Sequence, residues 1–363
     1  MSQKYQIALS YIRSLGPVMA KRLVAYTGTL EAVFEEKMGV LQKIPGIGQI
    51  VAKEIINSKD EAIASAEKEL EFVAKNKLKT LFYLDRNYPS RLQHIPDAPL
   101  VLYYKGLPQS NDSKILSVVG TRNASSNGLD VCERIISDLA SHHPDLVIIS
   151  GLAYGVDICA HKAALQNKLR TYAVLAHKLN MIYPNIHEQT AEKIILEGAV
   201  ISECNSRSLF DKYGFVKRNR IVAGMADATL VIESGEKGGS LITAELALSY
   251  NRDVLAVPGR PSDASSKGCN RLIKTNRAAM VETAEDIEYI MGWTINKRNT
   301  ALQKALFIEL NEEEEIVLDI VKKQGPISID FISLQTNLPV SKVSPVLLSL
   351  EFKNLIRTRP GNC

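Results

Sequence analysis

The sequence predicts an α/β protein: a mostly parallel sheet with one helical domain before it and another after it. Three observations support this prediction. Short apolar runs alternate with helical stretches between residues 115 and 291, which is typical of a parallel sheet with helices on both faces. Small-residue turns follow several of these runs. Residues 1–70 and 305–363 have helical patterns instead, and a loose segment, GWTINKRNT, precedes the second of them.

The predicted strands are short, apolar and rich in β-branched residues. Two strand-like runs, LFYLD and LVLYYKG, lie within residues 81–105, and the prolines between them exclude a helix there. We expect them to add extra strands or a cover to the sheet. The six later runs read ILSVV, LVIIS, TYAVLA, AVISE, TLVIE and DVLAVP. Ligands of such sheets bind outside the carboxyl ends of the strands, so the residues after each run are candidate site residues.

Several of these strand ends carry turns suited to an anionic ligand. The first run leads into GTRNAS, which contains Arg122, and the second leads into SGLAYG at Ser150 and Gly151. The fifth precedes a Gly-Gly-Ser turn at residues 238–240, and the sixth ends in Pro-Gly-Arg. We expect Ser240 to cap the next helix, whose free N–H groups and positive dipole end would then bind an anion.

Two basic stretches flank the Gly-Gly-Ser turn. Residues 207–220 hold five basic residues and one acidic residue, and residues 252–277 hold six basic and two acidic residues. One aromatic residue, three cations and an asparagine lie close together in the first stretch: Phe215, Lys217, Arg218, Asn219 and Arg220. A basic stretch can be no more than a solvated surface. Two stretches around an anion-binding turn favour a polyanionic ligand instead, although the net charge of +4 alone does not.

The N-terminal segment carries the pattern of a helix-hairpin-helix twice. SLGPVMAKRLV and IPGIGQIVAKEI each combine a hydrophobic residue, a glycine turn and an Ala-Lys pair on the following helix. Such turns point backbone N–H groups at a DNA phosphate without reading sequence. A hairpin that only pairs helices is an equal alternative, because the segment is nearly charge-balanced. A further, highly charged helix is expected over residues 62–77.

The C-terminal segment is predicted to be winged-helix-like, with helices over residues 312–323, 329–336 and 341–352 and a terminal hairpin at 355–359. This layout is typical of duplex-DNA binding, but residues 309–363 hold eight acidic and six basic residues. Basic contacts supply most non-specific affinity for DNA. We therefore favour a protein-contact or regulatory module over a DNA reader.

Other classes of protein lack their signatures here. No signal peptide and no apolar run of spanning length is present, so a cytoplasmic protein without membrane contact is expected. The dinucleotide and nucleoside-triphosphate motifs are missing, and no cofactor, metal or catalytic set is predicted. Asp157 and His161 share a helix face, where a hydrogen-bonded pair is favoured over a metal or acid–base pair. The cysteines show no metal or disulfide spacing: Cys132, Cys159, Cys204, Cys269 and Cys363.

Seven motifs in fixed order resemble the DNA-processing protein A family, also called DprA or Smf. They read VVGTRNAS, SGLAYGVDICAHKAAL, AVLAHKLNMIYP, RNRIVAG, GGSLITAELAL, VLAVPG and GCNRLIKT, within residues 81–291. The resemblance implies an extended Rossmann-like sheet domain that dimerises and lines a basic pocket for single-stranded DNA. It implies a non-enzymatic bacterial protein that protects incoming DNA and loads the RecA recombinase onto it during natural transformation.

The resemblance also implies roles for particular residues. Arg122 matches the arginine of the family's Gly-Ser/Thr-Arg motif, which grips phosphate. Residues 215–220 match a Phe-Pro-x-Arg-Asn-Arg segment, with the aromatic ring against a base and the cations on the backbone. A sequence-independent binder of single strands needs such a combination. The DNA-binding residues predicted in this way are Arg122, Ser150, Gly151, Phe215, Lys217, Arg218, Asn219, Arg220, Gly238, Gly239 and Ser240.

Two departures from the family pattern leave details open. Val216 replaces the usual proline, which leaves the placement of Phe215 less defined. Ala176, His177 and Lys178 replace a common glycine pair; they are expected to add a contact, narrow the pocket or only fill space. The predicted domains are 1–70 (helix-hairpin-helix, SAM-like), 71–295 (extended Rossmann-like) and 305–363 (winged-helix-like).

Two alternative functions use other features. The sheet with its Gly-Gly-Ser turn is also similar to nucleotide phosphoribohydrolases, in which an arginine and a glutamate act on a mononucleotide; Arg122 and Glu245 would take those roles. That class would not need residues 215–220 or the flanking helical domains. An interaction scaffold fits the acidic C-terminal segment but does not explain the cations.

Overall fold

The computed structural model describes residues 2–12, 15–108, 113–209, 212–293, 310–324, 327, 329–336, 338–353 and 355–356. They fall into two compact units, Met1–Thr294 and Ile295–Cys363, and each unit is described by itself.

The first unit begins with five packed helices among the described residues, and two of them begin directly after a glycine. Gly16 and Gly48 are the N-caps of α2 and α5, and Gly46, at φ 88°, makes the turn before α5. The charged helix expected over residues 62–77 is present up to Lys75, but it is not a separate element, because it is the second half of α5, one continuous helix of 27 residues. The helices are α1 Gln3–Leu9, α2 Pro17–Thr27, α3 Leu30–Glu35, α4 Met38–Leu41 and α5 Gln49–Lys75.

The predicted sheet is confirmed, with nine strands among the described residues in the order β1-β2-β6-β5-β4-β3-β7-β8-β9. From β6 to β9 every neighbouring pair is parallel, and β2 and β1 add an antiparallel edge. The two-residue strand β9 was not predicted. The strands are β1 Lys79–Phe82, β2 Val101–Gly106, β3 Lys114–Val119, β4 Leu146–Ser150, β5 Arg170–Leu175, β6 Ala199–Ser202, β7 Ala228–Val231, β8 Asp253–Ala256 and β9 Ala279–Met280.

Helices cover both faces of the sheet. Strand residues alternate between two cores: Val147 and Ile149 of β4 pack with α10 and α11, whereas Leu146 and Ile148 pack with α7 and α8. This alternation follows from the two-residue period of a strand. The helices of this part are α6 Ser90–Gln93, α7 Ser126–His142, α8 Val156–Gln166, α9 Glu188–Glu197, α10 Lys212–Met225, α11 Gly239–Ser249, α12 Lys267–Lys274 and α13 Ala284–Ile290.

The strand order reverses direction next to β3. Strands β3, β4, β5 and β6 follow one another toward one edge, and the chain then returns to place β7 on the other side of β3. In an open α/β sheet, such a switch point leaves a crevice outside the carboxyl ends of the two strands. The turns after β3 and β7, which contain Arg122 and the Gly-Gly-Ser sequence, meet at this crevice.

The second unit is a small helical cluster made of α14 Glu312–Gln324, α15 Ile329–Thr336 and α16 Val340–Phe352. Val317, Ile332, Val343 and Leu350 form its core. These helices confirm the predicted pattern, and most of the predicted terminal hairpin lies outside the described residues. In the part of the chain that the structure describes, no helix is both long and apolar enough to cross a membrane.

Candidate nucleic-acid interface

The crevice at the switch point is a cleft of about 590 Å³, which we name the strand-end cleft. The turns after β3, β4 and β7 form its floor and sides, and α10 and α11 form its other walls. Its lining includes Gly120, Thr121, Arg122, Gly151, Asp157, Phe215, Val216, Arg218, Asn219, Ser234, Gly235, Lys237, Gly238, Gly239 and Ser240. Most of the predicted site residues therefore come together here.

Arg122 and Phe215 form a pair at the mouth of the cleft. The guanidinium carbon of Arg122 lies 5.2 Å from the centroid of the Phe215 ring, and Arg122 is exposed to solvent. Tyr183 packs edge-on against the same ring, with the centroids 6.4 Å apart. A guanidinium over an aromatic face is held electrostatically while its N–H groups remain able to bind phosphate.

The N-terminus of α11 faces the same cleft. Gly238 is its N-cap and Gly239 begins the helix, at a position where an added Cβ would meet no atom within 4 Å. The prediction that Ser240 caps this helix is wrong: its hydroxyl lies inside the first turn and donates to Ser234 Oγ at 2.9 Å. The helix still presents its N-terminus and positive dipole end to the cleft, which favour an anion.

Arg218 is buried beneath the cleft instead of being presented to a ligand. Only 6% of its surface is exposed, and its Nη1 donates to the carbonyl oxygen of Val174 at 3.0 Å. The guanidinium occupies the space beside Gly151, where an added Cβ would lie 1.3 Å from Nη1. Gly151 therefore serves this close approach, and Arg218 builds the wall of the cleft.

Asp157 supplies the counter-charge of Arg218. Burial raises the pKa of Asp157, and the nearby Arg218 opposes that rise. Its Oδ2 accepts from the backbone N–H groups of Gly151 and Ala153, at 3.2 and 3.4 Å. The predicted Asp157–His161 hydrogen bond is wrong, since His161 Nδ1 instead lies 2.7 Å from Thr171 Oγ1.

Ser150 also lies away from the cleft surface. It is fully buried at the end of β4, and its hydroxyl donates to the carbonyl oxygen of Val118 at 2.6 Å. The hydroxyl thus ties β4 to β3 and is not presented to a ligand.

Lys217 and Arg220 lie on the opposite side of α10 from Phe215 and Asn219. A helix advances by about 100° per residue, because it has 3.6 residues per turn. Residues 215 and 219 therefore face the strand-end cleft, while 217 and 220 face away. Arg220 is paired with the Glu203 carboxylate and donates to the Asp97 carbonyl oxygen.

Lys237 was not among the predicted residues. It lies exposed in the turn before α11, lines the strand-end cleft, and forms no ion pair with another described residue. A usable signal was present in the sequence, since this lysine stands directly before the two glycines of the anion-binding turn.

The two departures from the family pattern have different outcomes. Val216 continues helix α10, lines the cleft and is 45% exposed, so the helix itself positions Phe215. His177 is buried, and its Nδ1 lies 3.0 Å from the Lys178 carbonyl oxygen. Neither His177 nor Lys178 lines the strand-end cleft.

The residues required by the enzyme alternative are not brought together. Glu245 lies on α11 outside the lining of the strand-end cleft and is paired with Arg277. Arg122 faces Phe215 instead.

Comparison with known proteins assigns the chain to a family. The family model described as DNA recombination-mediator protein A matches residues 79–292, the DprA winged helix domain matches 305–362, and a SAM-like helix-hairpin-helix tandem matches 7–58.

Similar proteins cover most of the chain. Protein Smf of Synechocystis is 30% identical over 99% of this chain and 97% of its own length. The X-ray structure of DNA processing protein A from Streptococcus pneumoniae is 32% identical, with a TM-score of 0.67, over 79% of this chain and 98% of that one. A structure of the Helicobacter pylori protein, concerned with its single-stranded DNA binding mode, is 25% identical over 60% of this chain and 96% of that one, with a TM-score of 0.53. The chain therefore belongs to the DNA recombination-mediator protein A family, known as DprA or Smf.

Proposed function

We propose that this protein binds single-stranded DNA through the strand-end cleft without reading its sequence. The single observation that carries the proposal is the meeting of Arg122, stacked on Phe215, with the N-terminus of α11 in one cleft. A single strand offers the matching chemistry, because its phosphates need cations and N–H donors and its exposed bases stack on aromatic rings.

Within this proposal the predicted residues have different roles. Arg122, the missed Lys237 and the first turn of α11 at residues 238–240 bind phosphate. Phe215 stacks on a base, and Asn219 donates to the carbonyl oxygen of Gly239 at 3.4 Å, which joins the two helix walls. The roles of the buried groups are structural: Ser150, Gly151 and Arg218 shape the cleft.

The wider role follows from the family and from the ssDNA binding described for the Helicobacter pylori relative. We propose that the protein acts in DNA processing during natural transformation, protects the incoming strand and loads the RecA recombinase onto it. It works in the cytoplasm as a homodimer and catalyses no reaction of its own. Residues 71–295 bind DNA and dimerise, 1–70 flank the DNA path, and 305–363 contact a regulatory or partner protein.

The decisive experiment is fluorescence anisotropy with labelled oligo-dT and the corresponding duplex at two salt concentrations. We expect micromolar or tighter binding that prefers the single strand. Each phosphate contact should add roughly 0.7 to the slope of log affinity against log salt. Arg122→Ala should flatten that slope by about 0.7, whereas Lys193→Ala, which removes an exposed cation of α9, should leave it unchanged.

Two results would overturn the proposal. One is binding that prefers the duplex or is undetectable, after which incubation with nucleoside monophosphates would test for a released base. The other is an Arg122→Ala variant with the wild-type slope, which would remove Arg122 from the DNA contact.

A further inference from the structure

A second cleft lies on the opposite side of α10, and we name it the helical-side cleft. Its volume is about 640 Å³. One wall comes from the N-terminal helical region and the rest from the ends of β2, β5 and β6 and from α10. The lining residues used below are Leu15, Pro17, Asp97, Pro99, Glu203, Cys204, Ser208, Leu209, Gly214, Lys217, Arg218 and Arg220.

The charges of this cleft leave one cation available to a ligand. Glu203 is paired with Arg220, and the Asp97 carboxylate accepts from Tyr250 Oη at 2.8 Å. Lys217 is exposed and forms no ion pair with another described residue. Both acidic side chains of the lining thus have a partner within the protein, although the tyrosine hydroxyl leaves the charge of Asp97 in place. No described side chain forms an ion pair with the ammonium group of Lys217, which can therefore meet an anion.

The walls also offer apolar surface of the kind that accepts a base. Pro17 and Leu15 come from the helical region, Pro99 precedes β2, and Leu209 is 85% exposed. A cavity with apolar walls and a single cation suits a nucleotide better than a small anion, because both the base and the phosphate find a partner.

The two clefts are joined at α10. Arg218 lines both of them from its buried position, and α10 lies between them, with Gly214 and Lys217 on one side and Phe215 and Asn219 on the other. Tyr213 in the first turn of α10 is 65% exposed. A strand that leaves Phe215 can therefore cross the first turn of α10 and reach Lys217.

We propose that the helical-side cleft binds further nucleotides of the strand held in the strand-end cleft. The N-terminal helical region thereby forms one wall of the DNA path. This inference rests on the proposed single-stranded DNA binding, and it adds a second subsite with Lys217 as its phosphate contact.

The subsite predicts that the effect of a variant depends on oligonucleotide length. Binding is measured with oligo-dT of about 4 and about 16 nucleotides, the limits of the site sizes common among single-strand binders. Lys217→Ala should weaken binding of the long oligonucleotide roughly tenfold, as expected for one charge-assisted contact. It should also flatten the salt slope of the long oligonucleotide by about 0.7 and change binding of the short one less than twofold.

A second variant separates the subsite from the charge of Lys217. Ser208→Trp would fill the helical-side cleft and should weaken only the long oligonucleotide, whereas Lys193→Ala on α9 should affect neither. Thermal unfolding of each variant checks that the fold is retained. The inference is overturned if each variant weakens binding of the short and the long oligonucleotide equally. It is also overturned if neither variant weakens binding of the long one.

Cys204 gives a readout that does not depend on affinity. Its side chain is partly exposed in the cleft, whereas Cys132, Cys159 and Cys269 are buried. Alkylation of Cys204 by N-ethylmaleimide is measured by peptide mass spectrometry. A saturating concentration of the long oligonucleotide should slow this alkylation, and a saturating concentration of the short one should not.

The outcomes distinguish the inference from the proposed function. If the long oligonucleotide binds through Arg122 but leaves Cys204 unprotected, the subsite is wrong and the strand-end cleft stands. If neither Arg122→Ala nor Lys217→Ala weakens binding of the long oligonucleotide, both are wrong.

Discussion

The two basic stretches, residues 207–220 and 252–277, have similar composition but different positions in the fold. The first includes most of α10, which packs on β3, β4 and β5 and lines the strand-end cleft. The second includes α12, which packs on β8 near the edge of the sheet. Only the first stretch therefore contributes a helix wall to the cleft at the switch point.

The two stretches also differ in how their charges are used. In the first, Arg218 is buried within electrostatic range of Asp157 and Arg220 is paired with Glu203, so the burial of two cations shapes the site. In the second, Arg277 forms a half-exposed pair with Glu245, while Arg271 and Lys274 lie exposed on α12. The difference shows that a count of cations overstates the free charge of the first stretch and says nothing about where the charges of the second lie.

The largest expected effect is on the buried pair of the first stretch. Asp157→Ala should lower the free energy of unfolding by about 3–5 kcal/mol, because it leaves the Arg218 guanidinium buried without a counter-charge. Urea unfolding is followed by the fluorescence of Trp293, the single tryptophan, which packs against the core between the sheet and α7.

Glu245→Ala is the matched control. It breaks the half-exposed ion pair with Arg277, which should lower the free energy of unfolding by less than about 1 kcal/mol. A loss from Asp157→Ala no larger than this would remove the distinction between the two stretches. Combining Asp157→Leu with Arg218→Met should recover much of the loss, because a buried pair can be replaced by apolar packing.

A smaller effect is expected for the aromatic residue of the first stretch. Phe215→Ala should weaken oligo-dT binding by about 1–3 kcal/mol through lost stacking, with the salt slope retained. Anisotropy titrations at several salt concentrations measure both quantities. Leu196→Ala, which truncates an exposed apolar residue of α9 outside the strand-end cleft, should change affinity little. Equal losses in the two variants would argue against stacking on Phe215.

The smallest effect is expected in the second stretch. Replacing Arg271 and Lys274 of α12 together with glutamine should change oligo-dT affinity less than about twofold, since exposed charges more than roughly 10 Å from the strand are screened at 0.1 M salt. The same titrations apply. A salt slope flattened by about 1.4, the value for two lost phosphate contacts, would place the second stretch on the DNA path. It would contradict the expected difference between the two stretches.

The pattern of the chain was enough to predict the sheet and the edge of the sheet at which the candidate site residues come together. Apolar runs of strand length mark each of the longer parallel strands, because a strand covered on both faces must be apolar throughout. The two-residue β9 has too few residues to show such a pattern. The glycine turns and Arg122 marked strand ends that meet in the strand-end cleft, because carboxyl ends of parallel strands lie at one edge.

The side-chain roles within the site were less predictable. Ser150 and Arg218 were expected to contact DNA, yet both are buried and satisfy backbone carbonyl groups. Lys237 was passed over although it is exposed in the cleft. Composition reveals that a cation is present, but its exposure depends on the atoms packed around it.

The sequence by itself determined the order of helices and strands, the basic character of residues 207–220 and the family motifs, because periodicity and turn chemistry are local properties. Only the tertiary structure decided which side of α10 each residue faces, which cations are neutralised by Asp157 and Glu203, and that two clefts adjoin one helix. These features depend on contacts between residues as far apart in the chain as Arg122 and Phe215, and no local pattern encodes such distances.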